Sequence, residues 1–342
     1  MSLEFQKLLA TVDLKTNKNI MDKLRYLSST RGCGNNQTRK KVWPILLHAN
    51  ELNIELRENY SEHEQYEQVE KDVDRSMWKF TREISDDERL SKRRQLSRLV
   101  NSCLLDDPGL HYFQGFHDVA TVMLLVCGES AALPCLSRIS HNHLYEAMNT
   151  KSLGEVLNVL PLIHVILSEH DPAVAKHLSE AGMDVGHYAL SWVLTWFSHV
   201  IDDLDLIGRL FDFFIPNHPL MSIYASAAVV LQRRQELLSV ESEFSEVFGL
   251  LNSFPETHKV VDEQWVEDII SQASRLFSTH PPHKIIQKQK LLKPTSCFLQ
   301  YPFPYTSQEV STTIKISKLL WMTGLSIGIG LFAYYVMLRR EQ

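Results

Sequence analysis

The sequence lacks an excess of positive charge, a paired cysteine motif and any sustained alternation of apolar and polar residues, and each absence removes a class of protein. Lys and Arg number 35 against 41 Asp and Glu, a formal charge of −6. That balance argues against nucleic acid as a partner, because phosphate binding normally needs a basic excess. Five cysteines, Cys33, Cys103, Cys127, Cys135 and Cys297, stand far apart with no CxxC spacing. Neither a disulfide framework nor a structural zinc site fits them, and a reducing compartment follows. No stretch alternates at period two, whereas apolar residues recur at intervals of three and four, which predicts an all-α fold. Glu4, Lys7 and Asp13 interrupt the first residues, so no secretory apolar core forms there and the bulk of the chain is expected in the cytosol.

What is present starts with a 44% hydrophobic content, ample for a packed core in a chain of this length. Proline and glycine divide the helical pattern at Pro108-Gly109, Pro134, Pro161, Asp171-Pro172, Pro216, Pro219 and Pro255, which predicts helices of ordinary length between them. After Thr279 the pattern decays through His280-Pro281-Pro282-His283, a basic run and Tyr301-Pro302-Phe303-Pro304-Tyr305, the composition of a tether. The organisation read from this is an N-terminal helical extension over 1–30, a helical domain over 31–279, a linker over 280–314, a transmembrane tail anchor over 315–338 and a short tail over 339–342.

The anchor rests on Leu319 to Leu338, which carries no charge and amounts to about 20 residues or roughly 30 Å of helix, the thickness of a bilayer core. Lys315 and Lys318 precede it, Arg339 and Arg340 follow, and Trp321, Tyr334 and Tyr335 sit where interfacial aromatics belong. A buried core helix is the alternative. Gly324 and Gly328 have the GxxxG spacing that can pair two such helices into a homodimer.

Two segments carry candidate chemistry. From about Tyr60 to Phe80 the residues Tyr66, Val69, Val73, Met77 and Phe80 mark a buried stripe, and Gln68, Asp72, Arg75 and Lys79 fall on a neighbouring polar strip. Asp72 and Arg75 are thus adjacent at i and i+3, where a carboxylate can hold a guanidinium in one rotamer; on spacing alone the pair reads as a solvated ion pair. The second segment, Tyr112 to Asp118, follows the turn at Pro108-Gly109 and precedes an apolar helix. Gln114 therefore stands at a helix entrance, where free N–H groups favour anionic ligands; by itself it reads as a capping or loop amide. His117-Asp118 with His141 and His143 suggests a metal hydrolase, but no second carboxylate and histidine set stands at a recognisable interval, so no metal ligand is assigned. The basic run Arg89 to Arg98 has Leu96, Leu99, Val100 and Cys103 facing inward, and reads as a solvated helix face or a contact for an acidic surface or anionic headgroups.

In combination these segments resemble the TBC domain of Rab GTPase-activating proteins. The IxxDxxR motif of that family is matched by Val69-x-x-Asp72-x-x-Arg75, and its YxQG motif by Tyr112-Phe113-Gln114-Gly115. Ser191 to Phe197 is similar to its SWxxTxF helix, Arg209 to Phe214 to its RLxDxF element, and Arg39-x-x-Val42-Trp43-x-x-Leu46-Leu47 to its opening helix. The five motifs run in order from about residue 38 to 277. Asp72 to Ser76, Gln114 to Asp118, Trp196 to Val200 and the apolar tail extend the resemblance to a membrane-tethered member of the family. Val69 in place of the family isoleucine removes one methylene from a buried face.

The resemblance implies an all-helical TBC-type domain whose partner is a Rab-family small GTPase. Arg75 would enter the partner's site to neutralise charge developing in phosphoryl transfer, and Gln114 would orient the attacking water. Asp72 would anchor Arg75, Tyr112 and Gly115 complete the second motif, and Trp43, Trp192, Trp196 and Asp212 support both fingers from behind. No cofactor of its own is implied, since GTP and Mg²⁺ come with the partner. Rabs of the endoplasmic reticulum to Golgi step, acted on at the endoplasmic reticulum membrane, are expected. A membrane-anchored Rab-binding scaffold without turnover is the alternative.

Overall fold

Helices follow from the residues at their ends as much as from their apolar faces, as the 21-residue helix at Asp86–Asp106 shows. Ser85 caps it by accepting from Glu88 N–H at 3.3 Å, and Asp86, Asp87 and Glu88 fill its first turn, where carboxylates complement the helix dipole. The computed structural model describes residues 3–10, 18–254, 261–288, 296–299 and 301. Within them the longer helices are α1 (Leu3–Leu9), α2 (Lys18–Arg31), α3 (Asn36–Leu46), α4 (Tyr66–Asp74), α5 (Asp86–Asp106), α6 (Phe116–Cys127), α7 (Glu129–Asn142), α8 (Pro161–His170), α9 (Pro172–Glu180), α10 (Leu190–Thr195), α11 (Leu204–Phe214), α12 (Met221–Gln232), α13 (Phe244–Asn252), α14 (Glu263–Thr279) and α15 (Pro282–Lys288). No strand occurs among the described residues, as the spacing of apolar residues predicts.

Past its first turn helix α6 is apolar nearly all round, and its neighbours cover it: α3, α5, α7 and α10 all pack against it. A second layer forms where α12, buried from Met221 to Leu231, lies along α14, α8 and α10. The element joining the layers is α11. Asp212 on α11 is fully buried; its carboxylate accepts from Trp43 Nε1 at 2.8 Å, Cys33 N at 2.9 Å and Arg39 Nε at 3.2 Å. Arg209, one turn earlier, reaches Glu267 of α14 with Nε at 2.5 Å and Nη2 at 3.0 Å. The opening-helix motif and the RLxDxF motif are therefore two halves of one buried polar cluster.

Pro161 and Pro172 open α8 and α9, where the missing N–H is harmless. Pro134 does not break the chain as its sequence position predicts, but lies inside α7. The carbonyl it deprives of a donor is that of Ser130, which is exposed and left to water. The stretch after Thr279 carries α15, which packs on α8, and the buried residues Ser296, Cys297 and Phe298. Cys297 N donates to the buried Glu146 at 2.8 Å, and the Tyr301 hydroxyl donates to Pro216 O at 3.1 Å. Among the described residues no helix is long and apolar enough to cross a membrane. Leu319 to Leu338, with Gly324 and Gly328, lies outside them.

All five cysteines are free and buried, and burial pushes the Cys103 thiol up to about 12. Burial acts in the opposite sense on two histidines. His143 stands edge-on to Trp196 with centroids 5.3 Å apart, and His218 lies against Tyr301 and Phe277. Desolvation pushes both imidazoles down to about 4. Each must be neutral in the fold but titrates near 6.5 once unfolded, so below 6.5 the unfolded chain binds more protons. Stability is accordingly full above pH 6.5 and falls as pH drops from 6.5 towards 4, by up to about 3 kcal/mol for each histidine. Thermal melts across that range should show the fall, and His218→Gln should flatten it by about 1.4 kcal/mol per pH unit. An unchanged slope in His218→Gln would remove that residue from the account.

Candidate functional site

The helix that carries Arg75 ends sooner than its sequence period predicts. Ser76 N donates back to Val73 O at 2.9 Å, Met77 turns left-handed at φ 73°, and the chain leaves the helical path. The cause lies in another helix. Arg93 of α5 takes Ser76 O at 3.0 Å, and buried Arg89 takes Thr81 O at 2.6 Å and Ile84 O at 3.2 Å. Carbonyls that further helical turns would have satisfied are satisfied from outside. Val69, Val73 and Met77 are buried as the stripe predicts, while Tyr66 and Phe80 are only half-buried. The basic run is thus no uniformly solvated face: Arg89 and Arg93 hold the loop after Arg75, and Arg98 forms a bidentate pair with Glu129 at 2.7 and 2.6 Å.

Asp72 is not the solvated partner that spacing alone suggests. Its side chain is 2% exposed, whereas that of Arg75 is 72% exposed. The carboxylate accepts from Arg75 Nη2 at 3.0 Å, from the Tyr112 hydroxyl at 2.9 Å and from Gln68 Nε2 at 3.3 Å. Arg75 Nε donates to Lys71 O at 3.1 Å. Two of the three guanidinium nitrogens are therefore fixed to α4, and Nη1 makes no bond to a described residue and remains available for an anion.

Tyr112 joins this helix to the second motif. Its N–H donates to Gln65 Oε1 at 2.7 Å, and Gln65 Nε2 returns a bond to Tyr112 O at 3.3 Å. Because the Tyr112 hydroxyl donates to Asp72, it accepts at 2.8 Å from Nδ1–H of His117. Burial lowers the His117 imidazole below its usual range, consistent with a neutral ring that donates from Nδ1. Burial, followed by the charge on Asp72, raises the Tyr112 hydroxyl far above its usual range, so it stays a donor. The His-Asp pair is accounted for here as well: His117 serves Tyr112, and Asp118 accepts from His199 Nδ1 at 2.8 Å. Among the described residues no group of three or more His, Cys, Asp or Glu side chains is gathered as a metal ligand set.

Gln114 stands at the entrance of α6, as predicted, with its side chain exposed and its carboxamide bonded to no described residue. Gly115 follows at φ +108°, and a Cβ there would meet Thr195 Cγ2 at 2.9 Å. Only glycine combines that backbone with that approach of α10. Arg75 and Gln114 line one cleft of about 580 Å³, together with Asp72, Gly115, Trp78 and Lys79, and with Ser191, Leu194 and Thr195 of α10. A hollow of about 650 Å³ over α14 contains none of the predicted site residues.

The remaining predicted residues lie outside the cleft. Trp192 stacks on Phe197 at 6.1 Å and meets Phe254 edge-on at 5.3 Å, which seats α10; Trp196 packs on Phe211 and Phe214 at 5.1 and 5.5 Å. Trp43 and Asp212 belong to the buried cluster between α3 and α11, and none of these four side chains lines the cleft. Sequence reasoning missed Gln65, Trp78 and His199. Gln65 had a signal, since it stands seven residues before Asp72 and so shares its helix face.

A helical domain with this cleft defines a TBC domain, and the chain belongs to the Rab-GTPase-TBC domain family, whose sequence model matches residues 36–238. Among curated relatives it is 32% identical over 268 residues to TBC1 domain family member 20 of Homo sapiens, which covers 77% of this chain and 64% of the relative. It is 30% identical over 227 residues to the GTPase-activating protein gyp10 of Schizosaccharomyces pombe, covering 66% of this chain and 60% of the relative. The chain thus spans less than two thirds of the length of these relatives. Its fold matches the crystal structure of the Ypt/Rab-GAP domain of Gyp1p with a TM-score of 0.64 at 14% identity, over 81% of this chain and 97% of that one. It also matches the Chlamydomonas flagellar RabGAP TBC domain with a TM-score of 0.60 at 16% identity, over 79% and 88% of the two chains.

Proposed function

We propose that the protein accelerates GTP hydrolysis by a Rab-family small GTPase, with Arg75 and Gln114 supplied in trans to a nucleotide that the partner carries. The observation that supports this most is that an anchored guanidinium with an open edge and an unbonded carboxamide share one cleft. Charge spread over the transferring phosphoryl group is stabilised by an arginine placed in this way, and a carboxamide has the donor and acceptor needed to orient water. The Mg²⁺ and GTP belong to the partner, and the chain acts as an activator.

The name of the gyp10 relative, a GTPase-activating protein, supports the same class of activity. The uncharged stretch from Leu319 to Leu338, with bases on both sides, supports anchoring at a membrane, and the unpaired cysteines support a TBC domain on its cytosolic face. The resemblance to a membrane-tethered member supports Rabs of the endoplasmic reticulum to Golgi step and an endoplasmic reticulum anchor. Stopped-flow phosphate release from a panel of GTP-loaded Rabs, with and without the full-length protein in detergent, tests the activity. Acceleration lost in Arg75→Ala and in Gln114→Ala is the expected result; tight binding without acceleration would make the protein a scaffold.

A further inference from the structure

Trp78 stands three residues beyond Arg75 and is 52% exposed, and of the large exposed apolar residues among those described it alone lines the cleft. It is not a loose surface residue. The Arg89 guanidinium carbon sits 4.0 Å from its ring centroid and that of Arg93 5.2 Å away, within cation–π range. Both arginines are themselves fixed, Arg89 by Thr81, Ile84 and Asp86, and Arg93 by Ser76 O. The arginines that hold the loop therefore hold the ring as well, and about half of the residue is still left to water. A rigid tryptophan at the edge of a site is, however, the kind of group that dominates protein association, because its area is buried with little further ordering.

The geometry points to Trp78 as the anchor that seats the partner GTPase on the rim of the cleft, an inference that rests on the proposed function. A GTPase whose bound nucleotide reaches Arg75 and Gln114 must lay the surface around its nucleotide pocket on this rim. The two cations beside the ring disfavour a basic patch there, so the matching surface is apolar and free of Lys and Arg. Trp78 thus contributes to which GTPase is accepted, and Arg75 to what happens once it is bound.

Steady-state phosphate release with the full-length protein and its most responsive GTPase separates these roles. Trp78→Ala should raise KM roughly 10- to 30-fold and leave kcat within about twofold, since binding common to ground and transition states is lost. Trp78→Phe, which keeps an aromatic plate, should recover most of the loss. Titration with the GTPase loaded with a non-hydrolysable GTP analogue should show the same weakening in Kd. If wild-type protein accelerates hydrolysis while Trp78→Ala keeps its KM and Kd, the anchor is wrong and the activity stands. Binding without acceleration, weakened by Trp78→Ala, would support the anchor and overturn the activity. A wild-type protein that binds no GTPase of the panel would overturn both.

Discussion

Replacing Arg75 with lysine is expected to remove nearly all acceleration of GTP hydrolysis, lowering the single-turnover rate at saturating protein by roughly 10³- to 10⁵-fold, as far as Arg75→Ala does. That loss corresponds to about 4 to 7 kcal/mol of barrier, far more than a solvated ion pair contributes. The reason lies in how the guanidinium is held. Nε donates to Lys71 O at 3.1 Å and Nη2 to Asp72 at 3.0 Å, which fixes the plane of the group and leaves Nη1 unbonded. Lysine has no planar fork: an ammonium that pairs with the buried carboxylate has nothing rigid left to offer a phosphate, and one that reaches outward leaves Asp72 with neutral donors alone, Tyr112 and Gln68. Wild-type turnover by purified Arg75→Lys would show that charge alone suffices and that Arg75 is not a finger.

The largest effect on stability is expected at Asp212, which lies outside the cleft. Its buried carboxylate is the shared acceptor of Trp43, Cys33 and Arg39, and Arg39 is itself only 3% exposed. Asp212→Ala leaves that arginine without its innermost partner, a change that typically destabilises by about 3 to 5 kcal/mol. A fall in melting temperature of roughly 10 °C should accompany it. Asp212→Asn should lose much of the same stability, because it turns an amide N–H₂ towards donors or leaves one of them unsatisfied. At temperatures where either variant remains folded, kcat should match wild type. A midpoint within about 1 kcal/mol of wild type in urea unfolding would show that Asp205, 3.3 Å from Arg39 Nη1, compensates for the loss.

The helical class of the domain was legible because packing a helix against neighbours imposes a spacing of three and four on its apolar residues, and α14 shows it plainly in the buried Trp265, Val266, Ile269, Ile270, Ala273 and Leu276. The ends of helices were legible where the chain itself carries the signal, as at Pro161, Pro172 and Gly115. They were not where another helix decides. Nothing local in Ser76 or Met77 marks the end of α4, because the groups that stop it are Arg89 and Arg93, in a different element. The same limit applies to Asp72. Its place on a polar strip correctly put Arg75 beside it, yet its burial depends on Tyr112, 40 residues later, folding over it. Trp78 was invisible to periodicity, since the turn at Met77 had already changed which way the chain faces. Arg75 and Gln114 could be named from their motifs, but no periodicity states that a single cleft receives both.

Tyr112 and Gln65 give that arrangement a mechanical property. The segment bearing the carboxamide is sewn to the helix bearing the guanidinium at three points: both main-chain groups of Tyr112 on Gln65, and its phenol on Asp72. The two segments therefore cannot drift independently, and a disturbance of either one is felt by the other. Damage to this seam should penalise both at once, so that in a double-mutant cycle the losses from Tyr112→Phe and Gln114→Ala overlap instead of multiplying.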